Sequence, residues 1–307
     1  MAPMALGSDT GGSVRAPASL CGTVGLKTTV GRVSRHGVFP LSWTMDSVGP
    51  LTRSVEDAAL VYQALQGEDL NDDSTIGVVT HDVMPGLKSG VKGLRVGIPR
   101  DIYFDDLDPE VEKAMADCVH VFKDLGAYVE NIAYPEARIA QAIRGSISSV
   151  ESCVFHAERV RARVDDMDPV VGPRMLGDMD RPAIEYAAAL RQMHALRRSQ
   201  LAGSLRDIDI LLTPTIPEPA LPVAAFEKSL EDYASLSKRF SDNTATGNVL
   251  GLCGLSVPCG FSKSGLPIGL MIYAKPFAED VLLRAGFAFE MVTEWNRHPD
   301  FGWITKS

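Results

Sequence analysis

The 307-residue sequence is 45% hydrophobic and 22% charged and carries a formal net charge of −9, which suits one large α/β domain or two small ones. Its apolar runs, such as Ile208-Asp209-Ile210-Leu211-Leu212, fall far short of the ~20 residues needed to cross a bilayer, and its first residues lack the basic start and apolar core of a signal peptide. The 39 acidic residues outnumber the 30 basic ones and no dense Lys/Arg block offsets them, which argues against nucleic-acid binding.

In chain order, residues 1–54 are rich in Gly, Ser, Thr and Pro and read as loop-heavy, a texture that often carries functional sites. A short helix is predicted over 55–66: Val55, Ala58, Ala59, Tyr62 and Leu65 share a face. Ser54 is its N-cap, Asp57 completes an S-x-x-D start, and Gly67 stops it. A strand follows at 94–98. Asp108 and Pro109 open a second helix as N-cap and first-turn proline, and Gly126 ends it. Tyr128–Ile132 is the next strand, so strand, helix and strand form the unit of a parallel sheet.

Residues 135–207 read as a variable helical region broken near Pro169, Pro173 and Pro182. Residues 209–213 form a buried strand, and 214–230 form a Pro-rich connection. Two strands flank a Gly265-Leu266-Pro267 turn, and a last helix covers about 279–294. These elements predict an α/β fold with a central mixed β-sheet flanked by helices on both faces. No internal repeat is present.

The cysteines Cys21, Cys118, Cys153, Cys253 and Cys259 form no C-x-x-C, and they read as reduced, mostly buried thiols of a cytoplasmic protein. No metal or cofactor is expected. The histidines His36, His81, His120, His156, His194 and His298 are scattered and read as surface or core residues. Neither G-x-S-x-G nor H-E-x-x-H occurs. Gly25-Leu26-Lys27-Thr28 has a phosphate-loop flavour, but Leu26 interrupts the required Gly-Lys pair.

The most informative stretch is Gly7-Ser8-Asp9-Thr10-Gly11-Gly12-Ser13-Val14-Arg15. A serine behind two glycines sits on backbone that can bend sharply and approach a ligand closely. Successive N–H groups in such a turn can converge on an oxygen anion. Acyl transfer needs both a hydroxyl to attack and donors for the tetrahedral oxyanion. A Gly-Gly-Ser alone is most often only a flexible turn.

The longer stretch 7–29 closely resembles the signature of the amidase-signature family. Gly31-Arg32-Val33-Ser34, Asp46-Ser47-Val48-Gly49-Pro50 and Thr52-Arg53-Ser54-Val55-Glu56-Asp57-Ala58-Ala59 continue the resemblance, which returns at 93–99, 209–214 and 256–269. It implies one amidase-signature domain over 1–307, hydrolysing a carboxamide C–N bond of a small-molecule amide through an acyl-serine on Ser13. The N–H groups of Thr10, Gly11, Gly12 and Ser13 would form the oxyanion hole. Asp9 and Arg15 would brace the loop, and Cys21 would pack behind it. Thr28 stands where the family usually has proline.

The family's Ser–Ser–Lys triad also implies a lysine and a cis-peptide serine ahead of the nucleophile. The twelve residues before Ser13 hold no lysine and no Gly-Ser-Ser-Gly-like segment. The chain is therefore expected to be N-terminally truncated and inactive by itself. Lys27 follows the nucleophile and is not assigned the base role. Two alternatives stand beside the amidase. One is the glutaminase-type component of a tRNA-dependent amidotransferase, although 179–186 lacks its usual Arg-Arg-Ile and Gly-Thr-Tyr. The other is a non-catalytic remnant. Ser13 is expected in a cleft at the end of the sheet. No membrane or direct nucleic-acid partner is expected, and a homodimer stays open.

Overall fold

The computed structural model describes residues 2–295. Eight strands make one mixed sheet: β1 (Met4–Asp9), β2 (Val24–Lys27), β3 (Ser47–Thr52), β4 (Arg95–Pro99), β5 (Tyr128–Ile132), β6 (Ile210–Pro214), β7 (Cys253–Phe261) and β8 (Pro267–Ala274), in spatial order β1-β3-β2-β7-β8-β6-β4-β5. The β5–β4–β6 side is parallel, and every other pairing is antiparallel. The parallel pair β4–β5 is joined by a helix, as the alternation of signals requires.

The helices are α1 (Arg15–Cys21), α2 (Val55–Leu65), α3 (Met84–Leu87), α4 (Pro109–Asp124), α5 (Pro135–Arg163), α6 (Val171–Asp178), α7 (Ala183–Ala202), α8 (Val223–Phe226), α9 (Leu230–Leu250) and α10 (Glu279–Met291). Strand alternation explains why they lie on both faces. Ile210 and Leu212 of β6, with Leu270 and Ile272 of β8, face a core closed by α2, α4 and α10. Leu211, Met271 and Tyr273 point the other way, into a core closed by α5, α7 and α9. A period of two in side-chain direction thus fills two cores from one run of apolar sequence.

Local chemistry sets the expected boundaries. The Ser54 side chain accepts from Asp57 N–H at the start of α2, and Asp108 accepts from Glu110 N–H ahead of Pro109 in α4. Each satisfies an N–H that has no partner within the helix.

Four expectations change. Residues 1–54 are loop-heavy as expected but also supply β1, β2, β3 and α1, which the sequence reading missed. Their Gly and Ser content hid strands whose packing is backbone-close: the Cβ of any residue replacing Gly25 would meet Ala18 Cβ at 2.6 Å. Pro173 does not break a helix but sits third in α6, where its missing N–H costs nothing. Residues 214–230 contain α8 and run directly into α9, which the sequence reading missed. The inner end of α9, residues 243–250, is wholly buried although half of it is polar, so apolar periodicity could not reveal it. Cys21 is exposed, while the other four cysteines are buried and all five are unbridged. Gly25-Leu26-Lys27 lies within the buried strand β2 and forms no phosphate loop. His298 lies outside the described residues.

Candidate active site

Residues 10–14 link the end of β1 to the start of α1. Asp9 closes the strand and Arg15 opens the helix, and both side chains are fully buried. The Arg15 guanidinium holds both Asp9 carboxylate oxygens, Nε to Oδ2 at 3.0 Å and Nη2 to Oδ1 at 2.9 Å. Its remaining donors reach the Thr244 carbonyl at 2.9 Å, the Tyr273 hydroxyl at 2.8 Å and Asn248 Oδ1 at 2.7 Å. Asn248 Nδ2 donates to the Asp9 carbonyl and to Asp9 Oδ1, both at 3.0 Å. Buried charge is tolerated here because every lone pair and proton of the fork is used.

Burial alone would push the Asp9 carboxyl upward. The Arg15 charge and hydrogen bonds, with Lys27 and Asn248, outweigh it and hold Asp9 well below the ordinary carboxylate range. Burial works against the charge on Arg15 too, and Asp9 and Tyr273 more than restore it. Both groups stay ionised, and they hold the loop from the interior rather than from its surface.

The pair also shapes the turn. Asp9 Oδ1 accepts from Gly12 N–H at 2.8 Å, and Oδ2 accepts from Val14 N–H at 3.2 Å. This corrects one expectation. Gly12 N–H was to be one of four converging donors, yet it is already committed to Asp9. Among the described residues, the N–H groups of Thr10, Gly11 and Ser13 have no protein acceptor. Gly12 has φ +128°, and a Cβ there would run into Thr244, so the bend demands glycine. Thr244 Oγ1 donates to the Gly11 carbonyl at 2.7 Å and pins the turn to α9.

A second brace comes from the loop before β3. Buried Asp46 accepts from Thr10 Oγ1 at 2.5 Å, from Leu41 N–H at 2.8 Å and from Ser42 N–H at 2.9 Å. That loop is held in turn by Glu151 of α5, which is fully buried. Glu151 accepts from the Ser42 hydroxyl, from Thr44 Oγ1 at 3.0 Å and from the Tyr186 hydroxyl of α7 at 2.9 Å. A chain of hydrogen bonds thus runs from the helical region to Thr10. The sequence reading did not single out Asp46, Glu151, Thr244, Asn248 or Tyr273. Thr244 and Asn248 stand four apart, so on a recognised helix they share a face, but the helix itself was not recognised.

Ser13 is exposed and lines an open cavity of about 630 Å³ together with Thr10 and Gly11, bordered by α5, α6 and α9. Ser13 Oγ has no hydrogen-bond partner among the described residues. No histidine among the described residues lines the cavity. Lys27 does not reach it: its Nζ is fully buried and donates to the carbonyls of Thr28 and Leu252, each at 2.9 Å. Burial and the Arg15 charge lower Lys27 to about 8, against the pull of Asp9. No group of three or more potential metal ligands occurs among the described residues, and no described helix is long and apolar enough to cross a membrane.

The mixed sheet, the strand–turn–helix around Ser13 and the buried Asp9–Arg15 fork define a class of α/β protein that presents a hydroxyl beside free amides. The chain belongs to the amidase family, whose model, described as "Amidase", matches residues 1–283. It is 39% identical over 302 residues to an amidase of Pseudomonas putida, covering 97% of this chain and 64% of that one. It is 38% identical over 315 residues to the A component of the glutamyl-tRNA(Gln) amidotransferase of Geobacter sp. (strain M21), covering 95% of this chain and 64% of that one. The chain thus spans just under two thirds of the length of these relatives. The crystal structure of the corresponding amidotransferase component from Thermotoga maritima superimposes with a TM-score of 0.81 at 32% identity, over 97% of this chain and 64% of that one.

Proposed function

We propose that this chain carries the acyl-transfer centre of an amide hydrolase, with Ser13 as nucleophile. The observation that carries the reading is the Ser13 turn itself: a hydroxyl facing a cavity beside the free N–H groups of Thr10, Gly11 and Ser13. In the proposed reaction Ser13 Oγ adds to the amide carbonyl and its proton leaves with the amine. Water then releases the acid. The amides of Thr10, Gly11 and Ser13 hold the oxyanion of each tetrahedral intermediate. Asp9 and Arg15 contribute by fixing the turn before charge develops, which avoids reorganisation during the reaction. Asp46 is a further brace, acting through Thr10.

Family membership supports amide hydrolysis, and residues 1–307 are proposed to act as one unit. A fluorophosphonate should label Ser13, only slowly in residues 1–307 because no base among the described residues activates the hydroxyl, and Ser13→Ala should abolish the adduct. Labelling of a different serine, or of the alanine variant, overturns the assignment. Among the described residues no base neighbours Ser13 Oγ, so unaided turnover by residues 1–307 is expected to be orders of magnitude below that of a complete triad. Rapid amide hydrolysis by the purified chain would reject that expectation. A second reading, the glutaminase-type component of a tRNA-dependent amidotransferase, is supported by the similarity to the Geobacter and Thermotoga proteins. The similar identity to the Pseudomonas amidase supports the first reading as well. Glutamine hydrolysis in clear preference to simple carboxamides would favour the second.

A further inference from the structure

Two buried thiols on the far side of the sheet from the Ser13 cavity take no part in the proposed reaction. Cys118 of α4 and Cys259 of β7 are each 1% exposed and belong to the core closed by α2, α4 and α10. Strand alternation turns Cys253, Leu255, Val257 and Cys259 toward that core, and helical spacing puts Ala114 and Cys118 on one face of α4. A Cβ on Gly260 would meet Ala114 Cβ at 3.4 Å, so α4 lies directly on this end of β7. The two thiols line one cavity of about 350 Å³ with the rings of Phe289 and Trp295, and exposed Asp117 and Glu294 stand at its edge. Burial, a hydrogen bond with Cys259, and the neighbouring charges of Cys259 and Asp117 hold the Cys118 thiol well above its ordinary range. The other cysteines have different settings. Cys153 and Cys253 donate to the carbonyls of Met175 and Lys275, each at 3.3 Å, and Cys21 is exposed.

We propose that Cys118 and Cys259 form a dithiol site for trivalent arsenicals of the R–As=O class, with the R group lying in the cavity against Phe289 and Trp295. Each sulfur forms one bond to arsenic. The As=O bond breaks, and its oxygen leaves as water with the two thiol protons, so arsenic stays trivalent and no oxidant enters. Soft sulfur ligands select soft centres. A protonated pair suits this condensation better than it suits disulfide formation. Thiol–disulfide exchange starts from a thiolate, which Cys118 supplies poorly, whereas the condensation consumes the protons that the thiols carry. The negative edge at Asp117 and Glu294 disfavours anionic reagents, and R–As=O is neutral. Because the fold holds both sulfurs in one cavity, the second As–S bond forms within a single site, at the high effective concentration of an intramolecular contact.

Phenylarsine oxide and the folded 307-residue chain provide the test, which requires no turnover. Mass spectrometry of the intact protein should find one phenylarsenic group per chain and the loss of two thiol hydrogens, and peptide mapping should find Cys118 and Cys259 joined through arsenic. Excess 2-mercaptoethanol should leave the adduct in place, while 2,3-dimercaptopropanol, which offers arsenic two thiols of its own, should remove it. Cys118→Ala and Cys259→Ala should each bind the probe about 10²-fold or more weakly, the loss expected when a bidentate contact becomes a single one. Cys21→Ala, at an exposed site, should bind as the wild type does. Circular dichroism establishes that the variants fold, and if either does not, the wild-type mapping decides. The proposal is overturned by the absence of an adduct on the folded chain, by an adduct mapped to other cysteines, or by wild-type affinity in a folded Cys118→Ala or Cys259→Ala chain. Loss of two hydrogens without gain of arsenic, the mark of a disulfide, overturns it as well.

Discussion

Replacing Arg15 by methionine should cost more than the loss of a surface ion pair by a wide margin. The change keeps much of the side-chain volume and removes five hydrogen bonds, two of them to Asp9. Asp9 is left fully buried with only neutral donors in direct contact, namely Gly12 N–H, Val14 N–H and Asn248 Nδ2. Removing one partner of a buried pair costs about 3–5 kcal/mol, which is a large share of the ~5–15 kcal/mol that holds a typical domain together. The pH dependence gives a sharper signature. In the wild type the Asp9 carboxyl lies below its unfolded value, so the pair's contribution is fully present above that unfolded value and is lost as pH falls through the folded one. In Arg15→Met the burial penalty on Asp9 is no longer offset by a guanidinium, and its pKa rises. The stability gap between the two proteins should therefore be widest near neutrality and narrow on acidification. Urea denaturation followed by circular dichroism, at several values between pH 7 and pH 4, measures this. A gap under ~1 kcal/mol, or one that stays constant across that range, would refute the account of the fork.

Gly12→Ala should lose about 2 kcal/mol or more, because it combines left-handed strain with overlap on Thr244, and it should slow fluorophosphonate labelling. Gly37→Ala is the control, since Gly37 also has positive φ but nothing lies within 4 Å of its new Cβ; equal losses at the two sites would reject the steric argument. Lys27→Met reports on a buried amine whose folded value is about 8 against an ordinary 10.5. The unfolded chain binds the extra proton in that window, so wild-type stability relative to the variant should rise with pH by about 1.4 kcal/mol per unit, and a falling or flat difference would be contrary. Finally, β1 is an edge strand with Leu6 half exposed, and such edges promote pairing between chains. Size-exclusion chromatography should show concentration-dependent association that Leu6→Lys reduces; a wild-type chain that stays monomeric throughout contradicts this.

The fold was legible where a local signal had a single physical cause. Ser54 and Asp108 announced helix starts through capping, and the alternation of strand and helix around 94–132 announced the parallel unit. Legibility failed where tertiary contact replaces local preference. The inner end of α9 is buried through Asn243, Thr244, Thr246 and Asn248, whose polar side chains meet the distant Pro214 carbonyl, Gly11 carbonyl, Tyr103 hydroxyl and Asp9 respectively. No apolar stripe marks such a helix. The front of the chain misled for a related reason, since glycines there serve close backbone approach rather than flexibility. At the site, the sequence singled out the Ser13 turn, which the structure places between β1 and α1 on the cavity. It gave Asp9 and Arg15 as braces of the loop but could not show that they are buried, because burial depends on α9 and β8. Nor could it show that Gly12 N–H is spent on Asp9, which is a matter of how the turn curls and not of which residues compose it.

The Asp9–Arg15 fork also bears on how the protein is made. Arg15 finds its other partners at Thr244, Asn248 and Tyr273, which are 229, 233 and 258 residues further along the chain. A ribosome adding ~5–20 residues per second needs roughly 10–50 s to deliver them. Throughout that interval the guanidinium and the Ser13 turn beside it have no interior to enter. The earliest-synthesised part of the cavity is thus among the last to gain its shape. Loss of β8 near the other terminus would leave this turn without its support even though every residue of the turn itself was present.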